Sequence, residues 1–232
     1  KFYFNVINAE DDKFIFDVFL KNQKPWSDIV YVNWHATCPK RLDCTLRSAF
    51  VEMEHINAKS QYVAVDIKIN HTTLDFPLAI SGTSAVKVSG PVERVVVSQG
   101  VNWKEGMGSR MIEISNSKDA TCAMSNFIFE RALGGCILLN NGATFRLENS
   151  IIQDCTGISK GSAITVRPNA VVTLVNVIFR NNHAKTAFLG GVAGGGALFI
   201  SPGAEVSVSG GLFEHNSASN TRGDTHGGAI LN

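Results

Sequence analysis

The chain has 232 residues, is 44% hydrophobic and carries a formal net charge of +1. Its Lys and Arg residues are scattered rather than clustered, so no nucleic-acid partner is expected. No apolar run reaches the length of about 18 residues that a membrane-spanning helix needs, so no spanning segment is expected either. With 21 Gly against 6 Pro, the composition is typical of a turn-rich β protein in one elongated domain.

Residues 1–34 form the first predicted segment, which is rich in strands and does not share the repeats found later in the chain. Phe14, Phe16, Val18 and Leu20 alternate with the residues between them, which predicts a strand. This segment either adds a small sheet to the front of the repeat region or forms a separate lobe.

Residues 35–61 are predicted to contain a disulfide loop and a capping helix. Cys38 and Cys44 flank a proline-containing loop, and a disulfide between them would imply an oxidising compartment. Two loop thiols or part of a metal site are the alternatives, but no zinc-type His/Cys spacing lies nearby. Over residues 45–57, apolar residues recur at helical spacing after Thr45, a suitable N-cap. We expect this amphipathic helix to cover the open first end of the β region.

Residues 62–232 are predicted to form that β region. Its first part consists of short alternating strands separated by Ser-Gly turns, which we interpret as irregular early repeats. Asn70 begins the sequence Asn-His-Thr, which is an N-glycosylation sequon. Such a sequon is typical of a secreted glycoprotein, although the triplet also arises by chance.

Three ungapped copies of a 24-residue pattern occupy residues 134–157, 161–184 and 195–218, and residues 227–232 begin a fourth. The fourth, sixth, twelfth, fourteenth and nineteenth positions of each copy are apolar. These residues are Ile137, Leu139, Phe145, Leu147 and Ile152; Ile164, Val166, Val172, Leu174 and Phe179; and Leu198, Ile200, Val206, Val208 and Phe213.

This pattern predicts an all-β fold. Alternation with period two is strand geometry, and the spacing of three and four that a helical repeat needs is absent. Two short strands and a third apolar corner per copy predict a three-sided parallel β-helix, in which equivalent positions stack about 4.8 Å apart.

Stacking of equivalent positions gives two specific expectations. Phe179 and Phe213 should stack inside the same corner. Asn126, Asn149 and Asn176 share the sixteenth position and should form a ladder in one turn, because asparagine tolerates left-handed backbone and can hydrogen-bond to its neighbours.

Three of the five cysteines fall in the repeats. Cys122 aligns with Phe145 and is therefore predicted to be a buried thiol. Cys136 and Cys155 occupy the third and twenty-second positions of one copy. They could pair, but the sequence does not fix the geometry that a disulfide requires.

Two tetrapeptides of the copies carry a family resemblance. Gly-Gly-Ala-aliphatic occurs at residues 195–198 and 227–230, and Phe-x-x-Asn at residues 179–182 and 213–216. They resemble the repeats of the polymorphic outer membrane proteins, and the stretch Cys-Thr-Leu-Arg-Ser-Ala-Phe from Cys44 is similar to a segment that often precedes such repeats. The resemblance implies a right-handed parallel β-helix that is secreted or displayed on a surface and is often adhesive.

The first full copy departs from that family pattern. Gly134-Gly135-Cys136-Ile137 has cysteine where the family has alanine, and residues 152–155 lack both the phenylalanine and the asparagine.

The acidic residues of the copies do not form pairs. Only Glu130 and Glu214 share a position, the twentieth, and Gln153 and Arg180 lie between them in the stack. Cleavage of a glycosidic bond needs paired carboxylates, so we assign no catalytic, cofactor-binding or metal-binding residue. The histidines near the end of the chain are interpreted as surface side chains: His183, His215 and His226.

Candidate binding residues lie in the inserts between copies, which leave the repeat at the same corner. Residues 185–194 contain the apolar pair Phe188 and Leu189, and residues 219–226 contain Arg222-Gly223-Asp224, which spells an integrin-type tripeptide. Loops on a rigid scaffold commonly carry recognition.

The sequence therefore favours a non-enzymatic scaffold outside the cell or on its surface, acting in adhesion or assembly without a cofactor. Expected partners are a protein or glycan at a surface, copies of the chain, or other subunits of an extracellular assembly. A carbohydrate-active β-helix enzyme, either a polysaccharide lyase or a glycoside hydrolase, and a filament or lattice subunit are the alternatives. Because a repeat has just begun at Asn232, we also expect further chain or a partner to cover that end.

Overall fold

The structure is a computed structural model that describes residues 2–7, 15–19, 36–37, 62–67, 71–74, 78–82, 85–89, 93–99, 110–116, 120–158, 160–186 and 191–232. Several predicted features lie outside these residues: the capping helix at 45–57, the Cys38–Cys44 disulfide, the sequon at Asn70, and the apolar pair Phe188 and Leu189.

All regular secondary structure of the described residues is β-strand, and no helix occurs among them. Before the first full copy, the strands are β1 (Phe2–Ile7), β2 (Ile15–Phe19), β3 (Ala36–Thr37), β4 (Tyr62–Ile67), β5 (His71–Leu74), β6 (Leu78–Gly82), β7 (Ala85–Ser89), β8 (Val95–Gln99), β9 (Ile112–Asn116), β10 (Thr121–Ser125) and β11 (Phe127–Glu130).

From residue 134 onwards, the strands are β12 (Ile137–Leu139), β13 (Thr144–Glu148), β14 (Ile151–Gln153), β15 (Thr156–Ile158), β16 (Ile164–Val166), β17 (Val171–Arg180), β18 (His183–Thr186), β19 (Val192–Gly194), β20 (Leu198–Ile200), β21 (Glu205–Glu214), β22 (Ser217–Asn220), β23 (Asp224–His226) and β24 (Ile230–Leu231).

These strands form four sheets. The largest has 13 strands in the order β3-β2-β1-β4-β7-β10-β13-β17-β14-β11-β8-β5, with β21 also paired to β17. The others have the orders β24-β20-β16-β12-β9-β6, β15-β18-β22 and β19-β23. Because β1 pairs in parallel with β4, the strands of the N-terminal segment extend the large sheet.

Strands of successive copies pair in parallel and in the register that the repeat alignment predicts. Phe145 pairs with Val172, and Val172 with Val206, so the twelfth positions of the three copies lie side by side. The fourth positions do the same, with Ile137 beside Ile164. The only antiparallel pairs among the described strands are β1 with β2 and β2 with β3.

The core is built from these aligned apolar positions. Phe179 is fully buried, and its ring stacks on that of Phe213 with the centroids 4.7 Å apart. The shared corner predicted for this pair is therefore confirmed. Burial falls in the last copy: Val208 is 44% exposed, whereas its neighbour Leu174 is 0% exposed.

The turns before β11, β14 and the second half of β17 carry the predicted asparagine ladder. Asn126, Asn149 and Asn176 have φ values of 63°, 47° and 53°, in the left-handed region that asparagine tolerates. The Asn176 side-chain amide donates to Asn149 Oδ1 at 3.3 Å. The left-handed backbone is thus confirmed for all three residues, and the side-chain hydrogen bond of the ladder is confirmed for Asn149 and Asn176.

A second left-handed column was not predicted from the sequence. It follows the nineteenth-position corner and contains Arg131, Asp154, Asn181 and His215, with φ values between 53° and 58°. Arginine is uncommon in this conformation, and the four residues are of four different types, so residue type alone did not reveal the column.

Candidate functional site

At the corner after the nineteenth position, an asparagine side chain of one copy bonds to the backbone of the copy before it. The Asn182 side-chain amide donates to the carbonyl of Ile152 in the preceding copy at 2.9 Å. Its Oδ1 accepts the backbone N–H of Cys155 at 3.2 Å. Each such side chain therefore satisfies two backbone groups of the copy before it, which explains the asparagine of Phe-x-x-Asn.

Asn216 repeats this arrangement one copy later. Its amide donates to the carbonyl of Phe179 at 2.9 Å, and its Oδ1 accepts the backbone N–H of Asn182 at 3.1 Å. The same Oδ1 also accepts the side-chain amide of Asn182 at 2.9 Å. The two asparagines form a continuous polar column, in which Asn182 is fully buried.

A disulfide takes the place of this asparagine in the first full copy. Cys136 and Cys155 are bonded, with their Cα atoms 6.0 Å apart, and both are fully buried. The two cysteines that stand where the later copies have alanine and asparagine are therefore joined by one covalent bond. The sequence left this pairing open because it gives the positions within the copy but not the distance between them.

Cys122 remains a free thiol, and its predicted burial is confirmed. It lies beside Phe145 in the core and is 1% exposed. Burial raises the pKa of this thiol to about 12, because an apolar environment disfavours the thiolate. Cys122 is therefore a core residue and lacks the lowered pKa of a reactive cysteine.

The inserts between copies are more ordered than loops. Their described parts contain strands β18, β19, β22 and β23, which pair in parallel between one insert and the next. Asp224 is the first residue of β23 and pairs with Val192. The second insert therefore contains a strand as well as a loop, because the backbone of the first insert serves as its partner.

The Arg222-Gly223-Asp224 tripeptide runs from a turn organised by Asn220 into the first residue of β23. The Asn220 side chain accepts the backbone N–H of Arg222 at 2.9 Å and donates to the carbonyls of Gly191 and Asp224. The side chains of Arg222 and Asp224 are both exposed. The turn therefore presents the two charged groups to solvent from a fixed backbone.

The histidines occupy separate surface positions. His183 contacts the hydroxyls of Ser217 and Ser219 through its two ring nitrogens, at 2.7 and 2.9 Å. His215 and His226 are exposed. Among the described residues, no group of three or more His, Cys, Asp or Glu side chains could hold a metal ion.

The carboxylates at the twentieth position are separated as the alignment predicted. Gln153 lies between Glu130 and Arg180, donates to Glu130 Oε2 at 2.7 Å and accepts from Arg180 Nε at 2.7 Å. Arg180 pairs in turn with Glu214 in the strand register. This column is a hydrogen-bonded ladder of mixed charge rather than a pair of acids.

A cavity of about 350 Å³ opens on the outer face of the six-stranded sheet, and we call it the cationic pocket. Three of the described residues that line it are basic: Arg110, Lys160 and Arg167. The others are the apolar Leu138, Ile158 and Phe199 and the hydroxyl-bearing Thr165.

Neighbouring strands form the floor of the cationic pocket. Leu138, Thr165 and Phe199 pair with one another in the parallel register of β12, β16 and β20. Each alternates with inward-facing core residues, so the three side chains stand in a row on the outer face. The Lys160 ammonium lies over the Phe199 ring, 4.9 Å from its centroid, in a cation–π contact.

Arg110 reaches this pocket from before the first full copy. Its guanidinium donates to the carbonyls of Lys160, at 2.8 Å, and Gly161. The side chain passes over Gly135, where a Cβ would collide with the guanidinium, and Gly135 itself has a φ of 97°. Glycine is needed there for both reasons.

The sequence reasoning missed this pocket. Its basic residues are far apart in the chain, and only the stacking of copies brings them together. One signal in the sequence could have indicated it. The fifth position of each copy faces outwards, yet it holds Leu138, Thr165 and Phe199, which are less polar than the residues expected on a strand face exposed to water.

No protein-family model, curated protein or solved structure matches this chain. Within the part of the chain that the structure describes, no helix has the length and apolarity needed to cross a membrane.

Proposed function

We propose that the chain is a non-enzymatic scaffold that lies outside the cell or on its surface and winds as a right-handed, three-sided parallel β-helix of the polymorphic outer membrane protein type. The observation that carries this proposal is the parallel pairing of equivalent positions in successive copies. Repeated stacking of this kind produces a rigid elongated surface suited to display rather than to a single deep cleft.

The extracellular setting is supported by the Cys136–Cys155 disulfide. Stable disulfides form and persist in oxidising environments, which include the cell surface and the secretory route.

The non-enzymatic part of the proposal is supported by the way the carboxylates are used. Glu130 is engaged by Gln153 and by Arg131 at 3.2 Å, and Glu148 by Arg146. A glycoside-cleaving pair would need two carboxyl groups that face one substrate bond, whereas Glu130 belongs to a ladder along the sheet and Glu148 pairs with a residue of its own strand.

The adhesive role is assigned to the side of the inserts, where two parallel strand pairs hold an exposed turn that contains Arg222 and Asp224. A rigid turn favours binding, because less conformational freedom is lost when a partner is engaged.

Two measurements test this function. A membrane-impermeant biotin reagent should label the protein on intact producing cells as strongly as on permeabilised ones. Beads coated with the purified protein should adhere to cell surfaces, and the change Arg222→Ala with Asp224→Ala should reduce adhesion several-fold. Lys185→Ala, which removes an exposed charge elsewhere on the same side, serves as the control.

Labelling only after permeabilisation would contradict the location. Adhesion unaffected by the double change would remove the turn from the binding surface. The enzymatic alternative is tested by incubating the protein with a panel of polysaccharides, and release of new chain ends would contradict the scaffold.

A further inference from the structure

We propose that the cationic pocket binds the carboxylate group of an acidic saccharide. The choice of a saccharide rests on the proposed extracellular function, whereas the preference for an anion rests on the pocket alone.

The pocket has an excess of positive charge. Arg110, Lys160 and Arg167 line one cavity, and none of the described carboxylates forms an ion pair with any of them. A bound oxyanion would supply the missing negative charge. Hydrogen bonds between a cationic donor and an oxyanion are also stronger than those between neutral groups.

The electrostatics of Arg110 agree with this charge excess. Burial, and to a smaller extent the nearby Arg167, together lower the pKa of Arg110 to about 10, and Glu113 opposes both with a smaller effect. The guanidinium therefore lies in a site that is desolvated and electropositive, and an anion beside it would relieve both effects.

Arg110 is also held in place before any ligand arrives. It is 8% exposed, and its contacts with the carbonyls of Lys160 and Gly161 use its two terminal nitrogens. A guanidinium carries five N–H donors. A donor group that is already fixed loses little freedom on binding, which favours affinity.

Lys160 and Thr165 complete the polar part of the pocket. The contact with Phe199 holds the Lys160 ammonium at the cavity. The Thr165 hydroxyl lies 3.0 Å from the carbonyls of both Lys160 and Gly161, and this ties the floor of the pocket to its basic wall. The ammonium and the guanidinium are therefore presented by one connected set of groups.

The apolar side chains favour a sugar over a bare inorganic anion. Leu138 and Phe199 form a half-buried apolar floor, and Ile158 stands at the edge with 55% of its surface exposed. The C–H faces of a sugar ring can cover such a surface while an attached acidic group meets the cations. A volume of about 350 Å³ is within the range of small-molecule sites and has room for one or two sugar rings.

The test is isothermal titration of the purified chain with four probes: trigalacturonate, the neutral maltotriose, triglutamate and inorganic sulfate. We expect trigalacturonate to bind, maltotriose to give no detectable heat, and triglutamate and sulfate to bind at least roughly tenfold more weakly, because they lack the sugar faces.

Lys160→Gln and Arg167→Gln should each weaken trigalacturonate binding by roughly tenfold, the loss of one charge-assisted hydrogen bond. Neither side chain is in the core, so both variants should fold, and their circular dichroism should match that of the unchanged protein. The matched control is Lys185→Gln, which removes an exposed charge outside the pocket and should leave binding unchanged.

Three results would overturn the proposal. Absence of trigalacturonate binding would show that the pocket does not bind an acidic saccharide. Unchanged binding after both pocket substitutions places the anion elsewhere. Equal or tighter binding of triglutamate or sulfate would show that the site binds anions without recognising a sugar ring. Because titration uses purified protein, these results are independent of the surface-labelling and adhesion experiments that test the proposed function.

Discussion

Two neighbouring copies of the repeat hold the same corner by different means. The copy at 134–157 closes it with a covalent bond between Cys136 and Cys155, and the copy at 161–184 closes it with the buried side chain of Asn182. The disulfide links two positions of one copy, whereas the asparagine links two successive copies. The comparison teaches that the asparagine of the later copies acts between copies, and that position 155, which has cysteine instead, is held by a bond within the copy.

The largest effect is expected from removing the disulfide. Cys136→Ala with Cys155→Ala should lower the free energy of unfolding by roughly 3 kcal/mol, because the bond closes a loop of 19 residues and restricts the unfolded chain. Urea unfolding measures this change. Substitution is preferable to a reducing agent, since reduction would also act on any bond between Cys38 and Cys44.

A second variant sharpens that result. Cys136→Ala with Cys155→Asn gives this copy the residues of the two later copies, and the new asparagine is placed to engage the N–H of Ala132 and the carbonyl of Phe129, as Asn182 engages the equivalent groups one copy later. It should recover about 1 kcal/mol relative to the double alanine variant. If the two variants unfold at the same urea concentration, the equivalence of bond and asparagine is wrong.

A smaller loss is expected when the asparagine column is cut in the second copy. Asn182→Ala should reduce stability by about 2 kcal/mol, since it removes the partners of the Cys155 N–H and the Ile152 carbonyl in a fully buried place. Asn216→Ala, at a half-buried position in the last copy, is the matched control and should lose about half as much.

Amide hydrogen exchange shows which part of the stack is destabilised by this substitution. In the Asn182→Ala protein, the Cys155 amide should exchange faster, while the Cys136 amide, bonded to the carbonyl of Ser162, should change little. Uniform acceleration across the copies would mean that the asparagine supports the whole stack rather than its own corner.

How far the sequence predicts this molecule depends on whether a feature repeats. The parallel register and the ladder of Asn149 and Asn176 could be predicted, because period-two alternation and a shared position in each copy express them directly. The disulfide could be identified only as a possibility. The signal that pointed to it was the presence of cysteine at two positions of one copy where the later copies have alanine and asparagine.

The cationic pocket was beyond the reach of the repeat alignment. Arg110 precedes the first full copy, and its side chain crosses Gly135 to meet Lys160 at the start of the second. Its position therefore depends on a side-chain path between copies, which the repeat pattern does not encode. The strands of the inserts were not predicted for a related reason, since β19 and β23 form by pairing with each other across two inserts.

The smallest effect concerns the cysteine that forms no bond. Burial raises the pKa of the Cys122 thiol to about 12 from an ordinary value of 9.0. Above pH 9 the unfolded chain gives up this proton while the folded chain keeps it, so the stability from Cys122 is complete below pH 9 and is lost as pH rises towards 12. At about pH 10 the loss should be about 1 kcal/mol. Cys136 and Cys155 make no such contribution, because a disulfide does not titrate.

Replacing Cys122 with valine keeps an apolar side chain of similar size, and the difference in urea midpoint between the two proteins should change in favour of valine between pH 8 and pH 10. A difference that stays constant with pH would show that the thiolate is accommodated in the core, against the burial of Cys122 beside Phe145.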